Sequence, residues 1–159
     1  MKNTQTESQV QIQVANYLVQ NYPDVQFHSD FGSGCKLTKG QAIKQMKQNG
    51  GRKGWPDMFI AEPTDGMTGE RVVEADHWLE FGHCGLFLEL KKDGEKLLVG
   101  PRAKNRFLSI DGKEYKTEHL KEQADVIYEL NQRGYKAEFA VGFDEAKKII
   151  DDYLGAANG

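Results

Sequence analysis

The chain has 159 residues, enough for one domain with a full core, and its 38% hydrophobic and 28% charged residues exclude a disordered chain. It holds no apolar run long enough for a membrane helix, and its polar start MKNTQTESQVQIQ has no apolar signal core, so an intracellular protein is expected and not a secreted one. The net charge of −3 argues against a general polyanion binder, and Cys35 and Cys84 make neither a zinc pattern nor a disulfide framework.

A first helix is predicted from Thr4 or Thr6, because Thr4-x-x-Glu7 and Thr6-x-x-Gln9 both match a capping box. Its apolar residues Val10, Val14, Tyr17 and Leu18 share one face, and Pro23 lies beyond its end. VQFHS (25–29) reads as a short strand and 38–48 as a basic helix. NGGRKG (49–54) reads as a loop and PDMFIA (56–61) as a strand with proline at its tolerated first position. Residues 62–85 fit no period and read as a loop insertion, whereas LFLELK (86–91) is a clear strand. Asp111-Gly112 within 106–117 signals a hairpin, and Thr117 caps a helix ending at Gly134. A strand over 136–142, an amphipathic helix over 143–154 and a frayed tail over 155–159 complete a mixed α/β layer fold in one domain.

Charge is unevenly spread. Lys36, Lys39, Lys44, Lys47, Arg52 and Lys53 follow one another with no intervening acid, while the C-terminal part carries Asp144, Glu145, Asp151 and Asp152. One basic, phosphate-facing side is consistent with this pattern, although on composition alone a solvated lysine-rich helix face is the simpler account.

Two acids sit inside apolar strand-like runs: Asp57 in GWPDMFI and Glu89 in LELKK. A buried, unpaired carboxylate costs several kcal/mol or takes up a proton, so a bound cation is the natural compensation. Along LFLELK, Phe87, Glu89 and Lys91 share one face, which sets Glu89 and Lys91 about 7 Å apart. If the two strands pair, Asp57 and Glu89 converge on one cation with Lys91 beside it. Two carboxylates with waters are the usual protein share of a Mg²⁺ site, and a neighbouring lysine can orient or deprotonate a water and offer charge to a phosphate. These parts suit metal-assisted phosphodiester hydrolysis.

Pro56-Asp57 followed by Glu89-x-Lys91 resembles the PD-(D/E)xK signature of restriction-endonuclease-like nucleases. GWPDMFI, GLFLELK and the block KTEHLKEQADVIYELNQRGYKAEFAVGFDEA resemble, in order, the motifs of the VRR-NUC (virus-type replication-repair nuclease) family, and Glu7-x-x-x-Gln11 in the first helix also fits. The match spans most of residues 7–154; the departure is 62–85, longer and more polar than the family's short connection. The resemblance implies a restriction-endonuclease-like core, a mixed central sheet flanked by helices. It implies Asp57, Glu89 and the Leu90 carbonyl as ligands of Mg²⁺ or Mn²⁺, Lys91 as the water-activating lysine, and Gln123 and Glu7 as further catalytic residues, Glu7 reaching the metal directly or through water. It also implies an endodeoxyribonuclease that leaves a 5′-phosphate. Stand-alone viral members look like Holliday-junction-resolving enzymes, so a phage-type nuclease acting on branched DNA as a homodimer is the expectation, with the basic 36–53 segment on the DNA.

Simpler accounts stand beside these. Glu89 and Lys91 also suit an exposed pair on an edge strand, Glu7 a helix-start acid, and Gln123 a half-exposed helix residue. His77, His83 and Cys84 lack paired zinc ligands and read as surface residues; His28 reads as structural, His119 as solvated, and Trp55 as either a packing residue or a base-stacking one. The alternative function is a non-catalytic nucleic-acid-binding module on the same fold.

Overall fold

The computed structural model describes residues 4–30, 37–65, 68, 70 and 81–155. Lys36, Cys35, His77 and the tail beyond Gly155 lie outside them. The first helix, α1 (Glu7–Asn21), starts at Thr6, whose hydroxyl accepts from the Gln9 N–H while the Gln9 side chain accepts from the Thr6 N–H. Of the two capping boxes in the sequence, the second is the one used. Strand β1 (Phe27–Ser29) and helix α2 (Lys39–Gln48) follow, α2 carrying its own Thr38/Gln41 capping box and burying no residue. Next come β2 (Met58–Ile60), the paired segments β3 (Thr64–Asp65) and β4 (Phe81–His83), and the long strand β5 (Leu86–Lys91). A hairpin of β6 (Phe107–Leu108) and β7 (Glu114–Tyr115), helix α3 (Glu118–Gln132), strand β8 (Lys136–Val141) and helix α4 (Gly142–Leu154) complete the chain. None of the described helices is long and apolar enough to cross a membrane.

The central sheet has the order β1-β2-β5-β8. The first three strands are antiparallel, and α3 carries the chain over to β8, which runs parallel to β5. The sheet is therefore mixed, as expected. Leu86, Leu88 and Leu90 on one face of β5 join Met58 and Ile60 under α1 and α4, where Val10, Val14, Leu18 and Ile150 are fully buried. On the opposite face Phe87 and Ala137 pack under Leu130 of α3. Because helices cover both faces, every residue of β5 is buried, Glu89 and Lys91 included. That excludes the exposed edge pair: β5 is an interior strand.

The strand predicted over 56–61 is shorter, so Asp57 precedes β2 and does not lie within it. The β2–β5 register, Met58 opposite Leu88, still brings Asp57 across from Glu89. Residues 62–85 are not one loop: their ends pair as the β3–β4 ribbon, which departs from the expectation, while most of the part between lies outside the described residues. The Asp111-Gly112 hairpin is present, but five residues connect its strands. It is tied to α3 by Asp125, which accepts from the Ser109 hydroxyl (2.7 Å) and the Ile110 N–H (3.0 Å). Strand β8 is a sheet edge closed by side chains. The Asn131 amide donates to the Ala137 carbonyl (2.9 Å) and accepts from the Ala137 N–H (3.0 Å), and Glu145 accepts from the Val141 N–H (3.0 Å).

Candidate active site

Four elements converge at one end of β5. Glu89 is 2% exposed, and its Oε1 accepts from the Lys91 ammonium at 2.8 Å and from the Gln123 amide of α3. Lys91, 4% exposed, also donates to Glu7 at the start of α1 (3.3 Å). Asp57 is buried, and its Oδ2 accepts from the Leu90 N–H at 2.9 Å, which pins the carboxylate to the strand bearing Glu89. The Leu90 side chain lies in the core on the opposite face, so its main chain is what meets Asp57. The helical stripe of Val10 and Val14 carries Glu7 inward, and the same face brings Gln11, whose amide donates to the Ser29 hydroxyl (2.7 Å) and the Asp30 carbonyl (2.7 Å). Glu7, Asp57, Glu89, Lys91 and Gln123 thus line a single cleft of about 340 Å³. Glu7 is accordingly more than a helix-start acid, and Gln123, 5% exposed, is not a half-exposed helix residue.

Burial pushes the Glu89 carboxyl up to about 8, with the nearby Asp57 carboxylate adding to the rise and Lys91 opposing it. Burial alone would lower Lys91, but Glu89, Glu7 and Asp57 outweigh it and hold the ammonium above its ordinary value. Two buried oxygens nevertheless have no hydrogen-bond partner: Glu89 Oε2 and Gln123 Oε1. Hard, unpartnered oxygens beside a second carboxylate are the donor set that Mg²⁺ or Mn²⁺ takes, so the residues fit such an ion. Among the described residues no three His, Cys, Asp or Glu side chains form a metal cluster, so such an ion would complete its shell with backbone oxygen and water, as Mg²⁺ commonly does. His83 is half-buried and Cys84 exposed.

In the metal-free protein this electrostatics has a pH signature. Below about 4.5 Glu89 holds a proton folded or unfolded; between about 4.5 and about 8 only the folded chain keeps it. The folded chain then binds more protons than the unfolded one, so stability is lost as pH rises through this window. In EDTA, the thermal midpoint of the wild type relative to Glu89→Gln is expected to fall by several degrees from pH 5 to pH 8. A flat difference would show that Glu89 ionises in its usual range.

The basic segment divides. Arg52 and Lys53 line the cleft, whereas Lys39, Lys44 and Lys47 are exposed on α2 outside its lining. His119 and Trp55 reach the cleft wall, His119 with its side chain 67% exposed, and His28 is exposed on β1. Sequence reasoning missed Asp30, Gln45 and Asn49, which also line the cleft. Nothing local marks Asp30; the Thr38-x-x-Gln41 capping box, which sets the start of α2 and with it Gln45 and Asn49, was visible.

The sequence matches no protein-family profile and no curated protein. Among solved structures it is similar to one described as "VRR_NUC domain protein", with a TM-score of 0.59 and 20% identity over 98% of this chain and 93% of that one. The chain therefore shares the fold of a VRR_NUC domain protein, the fold to which the order of its motifs pointed.

Proposed function

We propose that the protein is a divalent-metal-dependent nuclease that hydrolyses DNA phosphodiester bonds. The observation that carries this reading is the meeting of Asp57, Glu89, Lys91, Gln123 and Glu7 in one cleft, with the Glu89 Oε2 buried and unpartnered. A bound Mg²⁺ or Mn²⁺ supplies a polarised water and neutralises charge on the phosphate. Asp57 and Glu89, with the Leu90 carbonyl, would hold that ion. Gln123 fixes the Glu89 rotamer by its hydrogen bond, as partners of metal ligands do. The carboxylates around Lys91 favour its ammonium form in the metal-free protein, and its part is to orient the attacking water or to donate to a phosphate oxygen. Glu7 keeps the ammonium in place from its outer side. Water adds to phosphorus as the P–O3′ bond breaks, leaving a 5′-phosphate and a 3′-hydroxyl. Cutting two strands of a branched DNA needs two such sites, which a two-fold homodimer supplies.

Nicking of a supercoiled plasmid with Mg²⁺ or Mn²⁺, against EDTA, tests the chemistry; end-labelled four-way junction, flap and plain duplex test the selectivity. Metal-dependent nicking is the expected result. DNA binding without cleavage under either metal would replace this reading with a non-catalytic nucleic-acid-binding module.

The geometry also ranks the basic residues. Arg52→Ala with Lys53→Ala is expected to weaken DNA binding for all sequences and to reduce the log–log salt slope by about 2, close to one per lost phosphate contact. Lys44→Ala with Lys47→Ala is expected to change the slope less, because neither residue lines the cleft. Anisotropy titrations across a salt series measure both, and the reverse ranking would move the DNA path onto α2.

A further inference from the structure

Beside the catalytic cleft lies a second one, of about 590 Å³, and Arg52, Lys53 and Trp55 line both. Trp55 therefore stands on the ridge between them. It is 53% exposed, an unusual placement for the largest apolar side chain in a protein with a well-formed core. The ring is nonetheless held. It meets Phe87 at 5.4 Å with the planes at 83°, Phe87 stacks on Phe59 at 4.3 Å, and Tyr135 packs against both of those rings. The backbone on either side is equally constrained. Gly54 has φ +75°, and a Cβ there would lie 2.8 Å from the Glu122 carbonyl of α3; Pro56 follows and is buried. Packing thus orients an indole that stays largely open to solvent.

The charges around it are selective. In the second cleft Glu129 is paired with Arg133 at 3.0 Å and Asp125 with Lys121 at 2.5 Å, so its acids are offset. Among the described residues Arg52 and Lys53 have no carboxylate partner. A rigid exposed aromatic that shares both clefts with two cations lacking carboxylate partners, beside the proposed phosphodiester site, matches the stacking platforms by which proteins hold unpaired bases while cations follow the backbone. A base inside a duplex has its faces covered by its neighbours, so only a displaced one can use such a platform.

We propose that Trp55 stacks an unpaired nucleobase of the substrate, and that the strand bearing it passes from the catalytic cleft into the second cleft along Arg52 and Lys53, which line both. This rests on the nuclease reading and narrows its substrate to DNA with unpaired nucleotides beside the scissile phosphate. The test uses two labelled DNAs of equal length, a fully paired duplex and the same duplex with an oligo(dT) arm. Affinity is measured by anisotropy in EDTA and cleavage with Mn²⁺, for wild type, Trp55→Ala, Trp55→Phe and Trp55→Leu, each checked for an unchanged melting profile. Wild type is expected to prefer the armed DNA, Trp55→Ala to lose about tenfold on it and much less on the duplex, and Phe but not Leu to restore the difference. Equal losses on both DNAs, or rescue by Leu as good as by Phe, would overturn the stacking role while leaving the nuclease reading intact. Absent cleavage with a retained Trp55-dependent preference would overturn the nuclease reading alone, and wild type that binds neither DNA would overturn both.

Discussion

Glu89→Gln is expected to reduce cleavage to background while making the metal-free protein more stable at pH 8. Asp57→Asn is expected to reduce cleavage as far. Both changes keep size and remove the anion that a hard cation needs. Losing one electrostatic group at a reacting centre costs about a hundredfold or more, and loss of the metal adds to that. The stability gain separates Glu89 from an ordinary structural acid. Its carboxyl is buried, faces Asp57 and leaves Oε2 without a partner, so ionising it in the folded chain is costly. A neutral amide escapes that cost. The Mn²⁺-induced rise in melting temperature should disappear in both variants. Wild-type cleavage in either one, with a normal response to metal, would remove the pair from the site.

Lys91→Ala is expected to lower turnover by at least about a hundredfold, the usual range for a group that acts directly on a proton or a developing charge. Metal-induced stabilisation should persist, because the ammonium is no ligand and its loss frees the Glu89 Oε1 it now occupies. Some stability is lost, about 1–3 kcal/mol, since a buried hydrogen-bonding partner of Glu89 is removed. Calorimetric Mn²⁺ titration beside single-turnover cleavage tells the roles apart. A fall in metal affinity as large as that of Glu89→Gln would place Lys91 in the metal's support and not in the reaction.

Much of this site could be read from spacing. Alternation along LFLELK put Glu89 and Lys91 on one face, and the structure keeps that face while burying it entirely. What alternation could not show was coverage: α3 lies over Phe87, so the face carrying Glu89 and Lys91 is closed and not that of an exposed edge strand. The stripe Glu7–Val10–Val14 was sufficient to bring Glu7 inward, because a helix that buries its valines turns everything on that stripe with them. Gln123 was legible only through the family resemblance, and its partner was not legible at all, since Glu89 lies 34 residues away and only the β5–α3–β8 crossover brings them together. Asp30 had no local signal; it reaches the cleft through its N–H to the Asp57 carbonyl (2.7 Å) and through Gln11, both long-range contacts. The 62–85 segment was misread because β3 and β4 are two and three residues long, too short for a period to register.

The Asn131 side chain has a consequence for self-association. An open sheet edge invites a strand from another molecule, by the same hydrogen bonds that propagate fibrils. Here one amide engages both main-chain groups of Ala137, and Glu145 takes the N–H of Val141, so an arriving strand finds these positions already spent. At the other end of the sheet β1 is only three residues long. Among the described strands the sheet is poorly suited to grow in either direction, so association of copies by strand addition at these two edges is disfavoured, and the cleft at the end of β5 stays within its own subunit.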